Sequence, residues 1–133
     1  MISGGNVTVF VSDMDAAVDF YTNVLGLKLT NRFGNHWATV DGGKGLIIGL
    51  HPASAKFPAP GTKGGMMIGL EIDEPMEAVV ERLQRKGVRF KGPIIKDEPG
   101  RFVDFEDLDG NPFYLWEMQP ADQKKGDLEH ASA

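Results

Sequence analysis

The chain has 133 residues, with 14 Lys and Arg against 19 Asp and Glu, a formal net charge of −5 and no cysteine. That length supports one core without a covalent cross-link; the missing thiols exclude disulfides and thiolate metal sites, and the acidic balance argues against a nucleic-acid surface and mildly favours cationic ligands. No apolar run approaches the roughly 20 residues of a spanning helix, and the N-terminus lacks a basic segment leading into an apolar one, so a soluble cytoplasmic protein is expected.

Val7, Val9 and Val11 alternate with Thr8, Phe10 and Ser12, the period of a strand. Ser12 and Asp13 then offer side-chain oxygens to the free N–H groups of a helix start, and Asp15 sits at its positive end. Ala17, Phe20, Tyr21, Val24 and Leu25 form one apolar stripe, and Gly26 stops the helix. Strands are expected over 27–33, 36–40 and 45–50, with turns at Gly34-Asn35 and Asp41-Gly42-Gly43. Residues 52–65, with three prolines, three glycines and no periodicity, read as a linker. A strand over 66–72 follows, then a helix with Pro75 in its first turn, a buried stripe of Met76, Val79, Val80 and Leu83, and a stop at Gly87. Further strands are expected near 88–91, 101–106 and 113–118. The polar residues 119–133 read as a disordered tail.

One pattern therefore occurs twice. Asn6-Val-Thr-Val-Phe-Val-Ser-Asp-Met-Asp-Ala-Ala leads to Phe20-Tyr21 and Leu25-Gly-Leu, and Met67-Ile-Gly-Leu-Glu-Ile-Asp-Glu-Pro-Met-Glu-Ala leads to Glu81-Arg-Leu and Lys86-Gly-Val. Together with the closing Asp107-Leu-Asp-Gly-Asn-Pro-Phe-Tyr-Leu-Trp, these stretches resemble the vicinal oxygen chelate superfamily. That family includes glyoxalase I, extradiol dioxygenases, fosfomycin-resistance enzymes and bleomycin-resistance proteins. The resemblance implies an α+β fold of two βαβββ modules, whose mixed sheets curl into a cup with helices outside. Module one would cover 1–51, module two 66–118, all within a single domain.

In metal-binding relatives the ligands come from the first and last strands of each module. The resemblance maps those positions onto Asn6, Ile47, Met67 and Tyr114, where a catalytic divalent site needs about three imidazole, carboxylate or thiolate ligands. Met67 is a soft thioether, Asn6 a hard neutral donor, Ile47 no donor at all, and Tyr114 would have to ionise from about 10. No metal, no cofactor and no catalytic residue is expected. Asp107-Leu-Asp-Gly-Asn is similar to the opening of a calcium loop, but no ligating Glu follows at the required distance and Pro112 comes next. A tight hairpin turn accounts for the same residues.

Strand parity puts Tyr114 and Trp116 on one face and Phe113, Leu115 and Glu117 on the other. If the former metal positions face the cup, Tyr114 and Trp116 face it too, and the same parity adds Trp37, Phe102 and Asp104 while Val103 and Phe105 pack under the helices. The expected ligand-binding set is Asn6, Trp37, Ile47, Met67, Phe102, Asp104, Tyr114 and Trp116. The alternative is that these aromatics fill the cup as core. Asp104 or His36 is a candidate base, but no second acid or electrophile can be named beside either. The missing donors, with the resemblance to the bleomycin-resistance branch, imply a metal-independent protein that sequesters a small planar or cationic molecule and acts as a homodimer; from the charge and the apolar runs, no nucleic-acid or membrane partner is expected. The alternatives are a lyase, dioxygenase or isomerase with relocated metal ligands or none, and a noncatalytic scaffold.

Overall fold

The computed structural model describes residues 1, 3, 5–57, 59–61, 66–97 and 100–118. The expected tail and linker residues 58 and 62–65 lie outside the described residues. The chain divides into two units, 1–66 with 107–112, and 67–106 with 113–133. Each carries a βαβββ module of the α+β class.

In the first unit, β1 (Val7–Val11) runs parallel to β4 (Ile47–Pro52), with Val7 opposite Ile48. The antiparallel strands β3 (Trp37–Asp41) and β2 (Lys28–Phe33) complete the order β1-β4-β3-β2. Alternation decides which face is dry. Val9, Val11, Ala38, Val40, Ile48 and Leu50 are buried, and the helix covers them with Met14, Ala17, Val18, Phe20 and Tyr21. Each Val, Leu, Ile, Phe or Met side chain among them contributes about 1.5–3 kcal/mol when removed from water.

Helix α1 (Met14–Asp19) starts at Asp13, whose Oδ1 accepts the Ala16 N–H at 3.1 Å. Its continuation, Phe20–Val24, winds as a π-helix rather than the uniform α-helix expected, and Leu25 N–H reaches the Phe20 carbonyl. Both adjacent rings, Phe20 and Tyr21, end up inside, at 5 % and 1 % exposure. Tyr21 Oη there donates to Asp107 Oδ2 at 2.7 Å.

Asp107 is itself buried and fully occupied. Its Oδ1 accepts from the backbone of Asp109 and Asn111, and its Oδ2 also accepts from Asn111 Nδ2. The Asp107 N–H donates to the Asn111 carbonyl and Gly110 N–H to that of Asp107, so the segment is the expected tight turn. Asn111 and Asp109 then tie it to β1 and its exit, through Phe10 O and Ser12 N.

The second unit repeats the plan. Strand β5 (Ile68–Glu71) is parallel to β8 (Pro112–Met118), and β7 (Gly100–Glu106) and β6 (Ile95–Asp97) give the order β5-β8-β7-β6. Strand β6 lies later than the 88–91 expected: Phe90 makes only an isolated bridge to Phe105, and Lys91 N–H one bond to the Asp104 carbonyl. Phe105 and Phe113 stack at 5.3 Å, and Val103, Leu115 and Leu70 are buried with them. Helix α2 (Met76–Arg85) supplies Met76, Val79 and Leu83 to this core.

Pro75 is the N-cap of α2, not a residue of its first turn, and offers no side-chain cap. Glu117 of β8 takes that role, its Oε2 accepting the Met76 N–H at 2.8 Å. The other oxygen accepts from Arg101 at 2.6 Å, and Arg101 also pairs with Glu77 at 2.5 Å. Gly26 and Gly87, at φ 79° and 94°, lie just past the two helices as expected, because only glycine enters this left-handed region without strain.

Two outcomes follow. Tyr21→Phe removes a buried donor from Asp107 and lowers unfolding free energy in urea by about 1–3 kcal/mol. Burial, then the Asp107 charge, holds the Tyr21 phenol well above its usual 10.0. The unfolded chain therefore ionises first, and wild-type stability falls as pH rises past 10.0, a slope that Tyr21→Phe lacks. The hydrogen bonds from Arg101 lower the Glu77 carboxyl from 4.5 to about 2. Its contribution is complete above pH 4.5 and is lost as pH falls from there towards 2. Glu77→Gln flattens the pH dependence of stability in that window, measured by thermal unfolding.

A candidate ligand-binding site

The second sheet uses its two faces differently. Along β7, Val103 and Phe105 point under α2, and Phe102 and Asp104 alternate with them, half-buried. Along β8, Phe113 and Leu115 are core, and Tyr114 and Trp116 are half-buried. Phe102, Asp104, Tyr114 and Trp116 line a cavity of about 480 Å³ together with Met67, which is 48 % exposed ahead of β5. That volume falls in the range of small-molecule sites.

Local packing shapes this cavity. Gly69 stands opposite Tyr114 in the β5–β8 ladder, and a methyl group there would lie 2.4 Å from Tyr114 Cζ. The missing side chain lets the phenol lie across β5. Phe102 meets Tyr114 edge to face, with centroids 6.5 Å apart and planes at 75°. The two rings make a corner, not a parallel slot. Four side chains are thus apolar or aromatic, with the phenol and one carboxylate as polar groups. Among the described residues, no imidazole, amine or guanidinium lines the cavity.

The remaining expected residues, Asn6, Trp37 and Ile47, lie in the first unit. Asn6 is exposed just before β1, its Oδ1 3.5 Å from Thr8 Oγ1, and Ile47 opens β4 half-buried. Trp37 lies over Gly49, whose added methyl would meet Cη2 at 2.2 Å, and faces His51 at 6.2 Å. His51 in turn contacts Phe10 at 5.5 Å and Phe57 at 4.7 Å. Its Nδ1 donates to the Pro52 carbonyl at 2.8 Å, since that oxygen only accepts. Sequence reading missed this cluster because it ended the strand at residue 50, one short of His51. Strand β4 runs on to Pro52, so His51 shares the parity of Ile47, the signal that would have found it.

The four positions mapped to metal ligands carry an amide, an alkyl chain, a thioether and a phenol. Such a set does not fit a catalytic divalent ion. Among the described residues no three His, Asp or Glu side chains gather into a metal-holding group. Nor do the Asp107 oxygens serve as ligands, since backbone and side-chain donors already occupy them. His36 is exposed in the β2–β3 turn, and no imidazole is among the described residues that line the cavity with Asp104.

No curated protein matches the chain in sequence. Among solved structures, TnmS3, an antibiotic binding protein from Streptomyces sp. CB03234, is 30% identical, with a TM-score of 0.72 over 90% of this chain and 98% of that one. A member of the glyoxalase/bleomycin resistance protein/dioxygenase superfamily from Sphaerobacter thermophilus is 28% identical, with a TM-score of 0.72 over 88% and 98%. The fosfomycin resistance protein FosX of Listeria monocytogenes shares the fold at 21% identity, with a TM-score of 0.70 over 92% and 99%. Residues 5–115 match the model of the Glyoxalase/Bleomycin resistance protein/Dioxygenase superfamily, and with two βαβββ modules in the same span the chain belongs to that family.

Proposed function

We propose that the protein is a metal-independent binding protein that sequesters a small aromatic or cationic compound, as in bleomycin-type antibiotic resistance. One observation carries this: the open face of the second sheet lines a cavity of about 480 Å³ with Met67, Phe102, Tyr114 and Trp116 around the carboxylate of Asp104. A site of this composition holds a flat guest by stacking and area burial, each aromatic contact contributing about 0.5–1.5 kcal/mol beyond burial. Among its described lining residues no acid and base are paired for a reaction. Asn6, Trp37 and Ile47 belong to the proposed binding set as well. The likeness to an antibiotic binding protein supports sequestration over turnover. No helix among the described residues is long and apolar enough to cross a membrane. We take the protein to act as a cytoplasmic homodimer, the state that the family resemblance implies.

Two measurements test this. After incubation with zinc, nickel, manganese and iron(II) and then desalting, elemental analysis finds no stoichiometric metal. One tightly held ion per chain would overturn metal independence and put an enzyme first. In a screen of planar aromatic compounds, binders quench intrinsic tryptophan fluorescence. For those binders Trp116→Ala weakens affinity about ten-fold by calorimetry, the loss of about 1.4 kcal/mol, while circular dichroism stays unchanged. Undiminished affinity in the folded variant would remove Trp116 from the site.

A further inference from the structure

The charge pattern of strand β7 narrows the ligand class. Asp104 and Glu106 share one face of the strand, two residues apart. Lys91 pairs with Glu106, Nζ to Oε1 at 3.2 Å, while its backbone N–H bonds the Asp104 carbonyl. Among the described residues the Asp104 carboxylate has neither a hydrogen bond nor an ion pair, although it is half-buried beside Phe102, Tyr114 and Trp116. The neighbouring cation is thus committed to one acid, and the other faces an aromatic cavity without a partner.

A carboxylate in such a setting favours the ion that restores what water supplied, a donor carrying positive charge. Tryptophan and tyrosine faces attract the same ion through their negative π-clouds. The perpendicular Phe102 and Tyr114 rings leave no slot between them, so a flat guest stacks on one face and is located by its charged edge. We propose that Asp104 sets the specificity of this cavity for planar monocations whose charge sits on a ring-bound N–H group, and that neutral aromatics of the same shape bind poorly. This rests on the cavity being the ligand site.

The test pairs aminoacridine, protonated at neutral pH, with acridine, which is neutral there and has the same ring skeleton. Calorimetry on the full-length chain should show aminoacridine binding about ten-fold or more tightly. Asp104→Asn should bring the two probes to within about three-fold by weakening the cation alone, and Asp104→Ser guards against a variant that fails to fold. Glu106→Gln, which removes the paired acid, should leave the preference intact. Equal affinities in wild type, or a preference that survives loss of the Asp104 charge, would overturn the assignment while leaving small-molecule binding in place. If neither probe binds wild type at all, the cavity is not a site for flat aromatics, and both readings fall together.

Discussion

The buried carboxylate of Asp107 is the constraint on which the described arrangement depends. A carboxylate this deep is tolerable only if every lone pair has a donor. Here four donors converge on it: Tyr21 Oη, Asn111 Nδ2 and two backbone N–H groups. The same contacts close the turn at 107–111, through which the chain passes from β7 into β8. A shift of one residue would exchange Tyr114 and Trp116 for Phe113 and Leu115 on the open face.

The two faces of the second sheet differ in how fully they are satisfied. Its helix-covered face holds the stacked Phe105 and Phe113 and the buried Val103 and Leu115. On that side Glu117 and Arg101 tie strand to helix, satisfying an N-terminal amide that Pro75 leaves uncapped. Among the described residues the opposite face has no comparable closure. Its aromatic rings are half-exposed, and its acid is unpaired among the described residues. Apolar surface and an unpartnered charge left side by side on an otherwise well-satisfied sheet are the features expected of a surface with a ligand to meet.

Glycine makes that surface possible in a way composition alone does not reveal. Gly69 under Tyr114, and Gly49 under Trp37 in the other module, each give an aromatic ring room on a neighbouring strand. The same device thus occurs in both copies of the repeat, though on different strands.

Much of the fold was legible in the sequence. The duplicated strand–helix pattern identified two modules, and period-two alternation separated Val103 and Phe105 from Phe102 and Asp104, because a strand's side-chain direction is a local property. For the same reason Tyr114 and Trp116 could be assigned to the face opposite Phe113 and Leu115. At Asn6, Ile47, Met67 and Tyr114, the positions that the resemblance maps to metal ligands, the sequence alone gives an amide, an alkyl chain, a thioether and a phenol. Other features required distant residues to meet. The π-helical winding of Phe20–Val24 accompanies the burial of Tyr21 against Asp107, 86 residues away, and the cap of α2 comes from Glu117, 41 residues beyond Met76. The late position of β6, the inclusion of His51 in β4 and the choice of Lys91 for Glu106 over Asp104 belong to the same class. Local periodicity decides which face a side chain takes; only the folded chain decides which partner it finds there, because hydrogen bonds and ion pairs depend on ångström-scale distances between segments that sequence separation does not encode.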